Sequence, residues 1–472
     1  MKLNNNKHAT LYHFLKQTAV QIIYTCIFCL AVLTGRTALA EDWPTYLHDN
    51  HRSGTTAEQL DLPLLHVWVH STIRTPRPGW TETPALQNFW GSHYDHKSRS
   101  LFDQAFQVAV ANGSIYFGSS NSGKVICLSA KTGCERWKYI TGGPVRCAPS
   151  VYEGKIYFGS DDGYVYCLNG ADGSLVWKQV AADNGDLMFG NARLISTHPV
   201  RTSVIVDSGA AYWGAGLFVN PGRYLCAANA GTGAFNWKVA AEKPMQGYLL
   251  ATQNNLYVPA GKSTPVMYSR ASGNYIGAFD TLSHTHGGCF ALLTEDNQFI
   301  YGPHYYGNPG SWLGHYDDDS RAYMNIAVVG GNFLIVTPQY SYFNTDTQLN
   351  KVNRSTQQIV WSVTSPYCHS LILAGDVLFA GGDDEVAAFS TSSGDKLWVG
   401  EVKGRAHGLA VSDGYLYVST NLGNVHAFTN LLPIIADLNK DCITDFSDFI
   451  LFIDQWLNCT NPMDVHCEEY LP

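Results

Sequence analysis

Charge is scarce in this sequence: Asp, Glu, Lys and Arg together make up 15% of the 472 residues, and the formal net charge is −9. A chain so poor in basic residues has no surface to neutralise a phosphate backbone, which argues against a nucleic-acid partner. No Cys-x-x-Cys-His occurs, so covalent haem attachment is not expected, and no two cysteines are adjacent. No glycine-rich phosphate loop follows a strand pattern, and no Ser-His-Asp arrangement is evident. The apolar run over residues 22–33 is too short to span a bilayer. Lys2, Lys7 and Lys16 precede it, and the small-x-small sequence Ala38-Leu39-Ala40 follows. Residues 1–40 therefore read as a signal peptide. The expected mature chain begins near Glu41, is exported to the periplasm or beyond, and has no membrane span after cleavage.

What is abundant is turn and strand material. Aromatics are 13% of the chain and glycines number 44, which points to an all-β design. An internal repeat then sets the architecture. One unit reads Ser114-Ile-Tyr-Phe-Gly118, Lys124-Val-Ile-Cys-Leu128 and Thr132-Gly133-Cys-Glu-Arg-Trp137. The next reads Lys155-Ile-Tyr-Phe-Gly159, Tyr164-Val-Tyr-Cys-Leu168 and Asp172-Gly173-Ser-Leu-Val-Trp177. The Gly-x-x-x-Trp ending returns at Gly233 to Trp237 and Gly394 to Trp398, with weaker copies at Gly273 to Gly277 and Gln357 to Trp361. Each unit has the period-2 alternation of short strands. The glycine suits a hairpin that needs positive φ, and the Trp can pack on a neighbouring sheet. Cys127 and Cys167 hold the same place in two units and read as strand-buried thiols. Export permits disulfides, but the spacing does not fix their pairing.

One sheet cannot cover both of its faces, but units stacked around an axis can, which makes a β-propeller. The last unit, residues 405–428, has no Gly-x-x-x-Trp of its own. Its missing outer strand is available at Leu65-His-Val-Trp68-Val, and pairing the two would close the ring. With a degenerate unit over residues 286–319 the count is eight blades; seven is the alternative.

The Gly-x-x-x-Trp ending on a four-stranded unit resembles the pyrroloquinoline-quinone-type propeller repeat. Asp42-Trp43-Pro44 and His51-Arg52-Ser53-Gly54 are similar to the entry segment of that family. The resemblance covers residues 41–430. It implies the fold, while the family's functions range from quinone-dependent dehydrogenases to outer-membrane assembly scaffolds.

Beyond Pro433 the text changes, and residues 434–472 read as a separate calcium-binding segment. Oxygen-bearing side chains stand at loop positions 1, 3, 5, 9 and 12: Asp437, Asn439, Asp441, Asp445 and Asp448, with the Ile443 carbonyl at position 7. Such a shell suits Ca²⁺. An apolar helix over residues 449–457 follows. The segment resembles one half of a dockerin, although no second repeat follows and Cys442 stands where glycine is usual. Cys442 and Cys459 flank the segment as a potential bridge.

The repeat alignment also yields a candidate ligand site. Arg146, Arg201 and Gln246 stand eleven residues before the Tyr of their second strands, and His369 and His407 stand ten before Phe379 and Tyr417. His286 and Asn325 fall near the same place. These seven side chains are expected to ring one mouth of the axial channel, either as an anion or polar-ligand site or simply as a wet channel rim. His284, His286, His304 and His315 form a looser group, read as solvated rather than metal-binding. The leading functional expectation is a non-catalytic exported module for a protein or glycan partner, stabilised by calcium. The alternative is a quinone-dependent alcohol or sugar oxidoreductase of the cell envelope; pyrroloquinoline quinone is the possible but less favoured cofactor. A third reading uses aromatics over residues 301–316 as a sugar platform.

Overall fold

A computed structural model describes residues 41–79, 102–182, 186–190, 193–220, 222–260, 263–279, 290–304, 311–316, 323–324, 330–431, 438 and 446–458. Among them, strands dominate. There are six four-stranded antiparallel sheets, one eight-stranded sheet and a two-stranded hairpin, Leu187–Gly190 with Arg193–Ser196. The single helix among the described residues, α1, spans Phe446–Asn458.

Each four-stranded sheet follows chain order, as in Val108–Ala111, Ser114–Ser119, Lys124–Ser129 and Glu135–Ile140. The eight-stranded sheet is two such units fused through the long strand Lys396–Ser412. The first half of that strand pairs with Asp383–Ser390 and the second half with Tyr415–Thr420. The expected closure is present: Leu65–Ser71 pairs antiparallel with Asn424–Thr429, from Leu65 opposite Thr429 to Ser71 opposite Asn424. The final unit thus takes its outer strand from the N-terminal side.

First strands of successive units are neighbours. Val108–Ala111 lies beside Ser150–Tyr152, which lies beside Ile205–Asp207. A bridge from Thr202 to Gly247 leads to the next unit. Leu250–Ala251 lies beside Phe290–Leu293, and the Phe290 ring meets Phe333 at 5.4 Å. Phe333–Val336 lies beside Ser370–Ala374, which lies beside Lys396–Ser412, and that strand returns to Val108–Ala111. The first strands therefore close a ring.

This ring corrects one expectation about strand periodicity. Alternation is seen in outer strands such as Glu135–Ile140, whose residues are exposed or half-buried in turn. Second strands such as Ser114–Ser119 are buried at every position. Each lies between two neighbouring sheets, so both faces are core.

The glycine and the tryptophan of the repeat meet across units. Gly173 has φ +72°, and a Cβ placed there would lie 2.6 Å from the Trp137 ring. The Trp137 indole N–H donates to the Gly170 carbonyl at 2.9 Å. The same indole-to-carbonyl bond links Trp68 to Ala130, Trp177 to Ala230, Trp237 to Arg270, Trp361 to Thr391 and Trp398 to Leu64. Cys127 and Cys167 are buried thiols in third strands, as expected. Cys134 is disulfide-bonded.

The entry segment crosses the far ends of the first strands. Trp43 is fully buried and exchanges backbone bonds with Val110. Pro44, Asn50, His51, Gly54 and Thr56 offer carbonyls to Val151, Ala251, Leu293, Leu373 and Gly375. Arg52, 1% exposed, donates to the carbonyls of Leu249, Tyr46 and Asp49 and to the hydroxyls of Thr45 and Ser203. One segment therefore ties most of the ring together at that end. Burial, only partly offset by Asp49, brings the Arg52 guanidinium down to about 10.

The Gly173–Trp137 contact can be isolated by comparison with Gly154, whose φ is +70° but whose Cβ position is open. Gly154→Ala is expected to cost about 1 kcal/mol for backbone strain alone. Gly173→Ala is expected to cost about 2 kcal/mol more, because the Trp must shift from a packed position. Guanidinium unfolding midpoints of the two variants measure the difference.

Candidate functional site

The polar site lies at the opposite end of the first strands, where each chain segment enters its unit. Five of the seven expected side chains, Arg146, Arg201, Gln246, His369 and His407, are described, and all five stand at the entry ends of first strands. His286 and Asn325 lie outside the described residues, as does His284.

The described residues connect in ring order. The Arg146 guanidinium is 2% exposed and lies between two carboxylates, 2.7 Å from Asp103 and 2.8 Å from Asp161. Arg201, equally buried, shares Asp161 at 3.0 Å. The Gly247 amide, next to the buried Gln246, donates to the Arg201 carbonyl. On the other side of the ring the His369 and His407 ring centroids are 4.9 Å apart. His369 Nε2 meets Asp383 Oδ1 at 3.1 Å, and Arg405 Nε meets the same oxygen at 3.2 Å. Gln107 Nε2 donates to the His407 carbonyl at 3.2 Å.

The charges balance at the buried core of this site: two guanidiniums face two carboxylates. Burial alone would raise the Asp161 carboxyl, but Arg201 and Arg146 outweigh it and hold it below the ordinary range. Burial alone would lower Arg146, but Asp161 and Asp103 outweigh it and raise it. His407 is pushed down to about 3, by burial first and then by His369 and Arg405. It is therefore neutral at physiological pH.

A short segment lies over the arginine pair. The Arg77 amide donates to Ser120 Oγ, the Arg77 carbonyl accepts from Arg146, and the Gly79 amide donates to Asp103. Arg193, on the hairpin, donates to Asn121 Oδ1 at 2.6 Å, and Asn121 in turn donates to the Thr75 carbonyl. Burial lowers Arg193, as do its neighbours Arg77, Arg146 and Arg74. Among the described residues, Arg74, Arg77 and Arg193 have no carboxylate partner. Asp103 Oδ1 is buried without a donor. Among the described residues, this mouth thus carries surplus positive charge in a chain whose net charge is −9.

Asp103, Asp161, Asp383 and Gln107 were not anticipated. A signal for two of them exists: Gly159-Ser-Asp161-Asp162 and Gly381-Gly-Asp383-Asp384 end equivalent strands.

Other expectations meet the structure unevenly. Tyr301 is 1% exposed and packs with Phe299, so it is core rather than part of a sugar platform. Of the calcium loop, Asp437, Asn439, Asp441, Ile443 and Asp445 lie outside the described residues, as do Cys442 and Cys459. Asp448 is buried in the first turn of α1 and accepts the Leu438 amide at 2.7 Å. Phe449 and Phe452 of α1 are 51% and 49% exposed. Among the described residues no three His, Cys, Asp or Glu side chains gather to hold a metal. No helix there is long and apolar enough to cross a membrane.

Comparison with known proteins places this architecture. The family model described as "Outer membrane protein assembly factor BamB" matches residues 80–209 and 318–428, about half of the chain. The chain belongs to this family. Its relatives include the quinoprotein ethanol dehydrogenase of Pseudomonas aeruginosa, 29% identical over 181 residues, covering 34% of this chain and 27% of that protein. Methanol dehydrogenase [cytochrome c] subunit 1 of Methylorubrum extorquens is 25% identical over 259 residues, covering 51% and 37%. The chain spans only about a third of the length of these curated relatives. Among solved structures, the quinohemoprotein alcohol dehydrogenase of Comamonas testosteroni superposes with a TM-score of 0.58 at 14% identity, covering 84% of this chain and 81% of that one. A europium-containing methanol dehydrogenase superposes at 0.57 with 10% identity, covering 82% and 98%. These similarities establish a quinoprotein-type β-propeller fold for this family member.

The shared carboxylate generates a prediction. Asp161→Asn would leave two buried guanidiniums short of charge, and is expected to destabilise by about 3–5 kcal/mol. Because the native carboxyl titrates below its unfolded value, its contribution is present above pH about 4 and is lost as pH falls through the lower folded value. Stability measured from pH 7 to pH 2 should fall in that window for the unsubstituted chain, and fall less for Asp161→Asn.

Proposed function

We propose that this chain is an exported eight-bladed propeller that binds an anionic quinone at its arginine-rich mouth and serves alcohol oxidation. The eight blades are the six separate sheets and the two halves of the eight-stranded sheet. The observation that carries the reading is the surplus of Arg74, Arg77 and Arg193 beside the neutralised Arg146 and Arg201 group, in a chain related to quinoprotein dehydrogenases. This revises the balance struck from sequence, where a non-catalytic module led.

The residues present fit the anionic part of pyrroloquinoline quinone, a planar polycarboxylate: guanidiniums on two separate segments offer forked donors to carboxylates. The quinone, when bound, supplies acceptance of two electrons from the alcohol carbon. The chain's own contribution is binding and orientation by Arg74, Arg77 and Arg193. Asp103 Oδ1, lacking a donor, is left to accept a hydrogen bond. His369 and Arg405 occupy Asp383 and keep its carboxyl low, which makes it a poor base.

A second reading keeps a binding role. The family description names an assembly factor, and α1 leaves Phe446, Phe449, Ile450 and Phe452 exposed. On this reading the half-dockerin-like segment, with Asp437, Asn439, Asp441, Ile443, Asp445 and Asp448 around Ca²⁺, orders α1 for a protein or glycan partner outside the cell membrane.

Titration of the full exported chain with pyrroloquinoline quinone and Ca²⁺ separates the two. The first reading expects a bound-quinone absorbance and dye-linked oxidation of ethanol, with affinity falling about tenfold for Arg77→Ala or Arg193→Ala. Absence of quinone binding would leave the binding role. Calorimetry with Ca²⁺ alone tests the segment: heat is expected for the unsubstituted chain and lost in Asp437→Ala with Asp441→Ala.

A further inference from the structure

A thiol stands beside the histidine end of the mouth, and neither functional reading uses it. Cys368 and His369 immediately precede the first strand Ser370–Ala374. Cys368 Sγ lies 3.8 Å from His369 Nδ1, and His369 Nε2 lies 3.1 Å from Asp383 Oδ1. Cys368 is not disulfide-bonded and is partly exposed.

The order of these contacts decides the tautomer. An ionised carboxylate can only accept a hydrogen bond, so Asp383 holds the His369 proton on Nε2. Asp383 is ionised: the His369 hydrogen bond, against a smaller effect of burial, keeps its carboxyl low, and Arg405 adds to this. With that proton on Nε2, Nδ1 is the nitrogen that faces Cys368 Sγ at 3.8 Å and can accept its proton. That is the arrangement in which an imidazole takes a thiol proton and the resulting imidazolium stabilises the thiolate.

Among the described residues, contacts bring these other titratable and charged groups to the cluster. His407 and Arg405 approach from Lys396–Ser412. Tyr367, on the far side of Cys368, pairs with Glu385 instead. His407 is neutral and does not compete for the thiol proton. The remaining described thiols differ sharply. Cys127, Cys147, Cys167 and Cys226 are buried, and burial raises all four, Cys127 and Cys167 to about 11.

We propose that Cys368 is a nucleophilic thiol, with His369 as its base and Asp383 as a positioning residue, that exchanges with disulfides reaching the mouth. In the exchange the Sγ proton passes to His369 Nδ1 and the sulfur attacks one sulfur of R–S–S–R′. The Cys368–S–S–R bond forms, the incoming S–S bond breaks, and R′–S⁻ leaves with the proton from His369. The incoming disulfide supplies the oxidising equivalents, and nothing else is consumed. An oxidising compartment, expected for an exported chain, contains such disulfides. The proposal is independent of whether a quinone binds.

The test uses the full exported chain and oxidised glutathione, with the mixed disulfide at Cys368 followed by peptide mass spectrometry. At pH 7 Cys368 is expected to react about tenfold faster than free cysteine, with a rate midpoint below the ordinary thiol value of about 8.5. His369→Gln should remove that gain. Asp383→Asn should lose most of it and move the midpoint up, while Asp383→Glu should recover part. Asp383 is 71% exposed, so these substitutions should leave the melting temperature unchanged. A Cys368 rate and midpoint equal to those of free cysteine would overturn the proposal. So would an Asp383→Asn profile identical to that of the unsubstituted chain.

Discussion

The stacking of one indole against the next unit's glycine turn is the interaction on which the ring depends. A four-stranded sheet of this kind has two apolar faces and no means of covering them itself. Trp68, Trp137, Trp177, Trp237 and Trp361 each reach across the gap, donate their N–H to a carbonyl of the following unit, and pack where a Cβ would otherwise stand. Glycine is required twice over at such a turn, for its positive φ and for the absent side chain. The contact sets the spacing between units, so it also sets how the first strands meet at the centre. Closure then follows from where the chain begins: Trp68, on the strand Leu65–Ser71, makes the same contact with Gly133 and Ala130. The N-terminal side thereby completes the last unit and locks onto the first.

With the ring closed, its two ends are treated differently. At one end the entry segment supplies backbone bonds and the buried Arg52, whose donors are spent on neutral carbonyls and hydroxyls. That end is filled with structure. At the other end charge is concentrated instead, in the Arg146–Asp103–Asp161–Arg201 group and the His369–Asp383–Arg405 group. Pairing two arginines on one carboxylate costs desolvation that good geometry must offset. The bidentate contacts at 2.7–3.1 Å supply that geometry. Arg74, Arg77, Arg193 and the Cys368 thiol lie outside that neutral core.

The repeat was legible in the sequence because its punctuation is strict. Gly173 before Trp177 and Gly133 before Trp137 follow from backbone conformation, and an unfinished last unit forces a search for its partner strand. Strand burial was less legible, since a sheet covered on both faces loses the alternation that marks a half-exposed strand; Ser114–Ser119 shows this directly. The arginines and histidines of the mouth could be counted from the aromatic landmarks of each second strand. Their carboxylate partners could not, because Asp103 and Asp161 come from different units, and pairing across units depends on spacing that no local pattern records.

The same limit explains why Cys368 and His369 took on chemical meaning only in three dimensions. Adjacent in sequence, they form an unremarkable dipeptide at the start of a strand. Asp383 arrives from the end of the second strand of the same unit, where Gly381 and Gly382 bring the chain close to the first strand. The acceptor-only carboxylate fixes one ring nitrogen as donor, and the other nitrogen is thereby assigned to the sulfur. The His369 hydrogen bond, with Arg405 from the neighbouring unit adding to it, keeps the carboxylate ionised and so keeps the tautomer fixed. Orientation of a proton is thus a consequence of ring assembly: the two units must be correctly spaced before Asp383 can meet both His369 and Arg405.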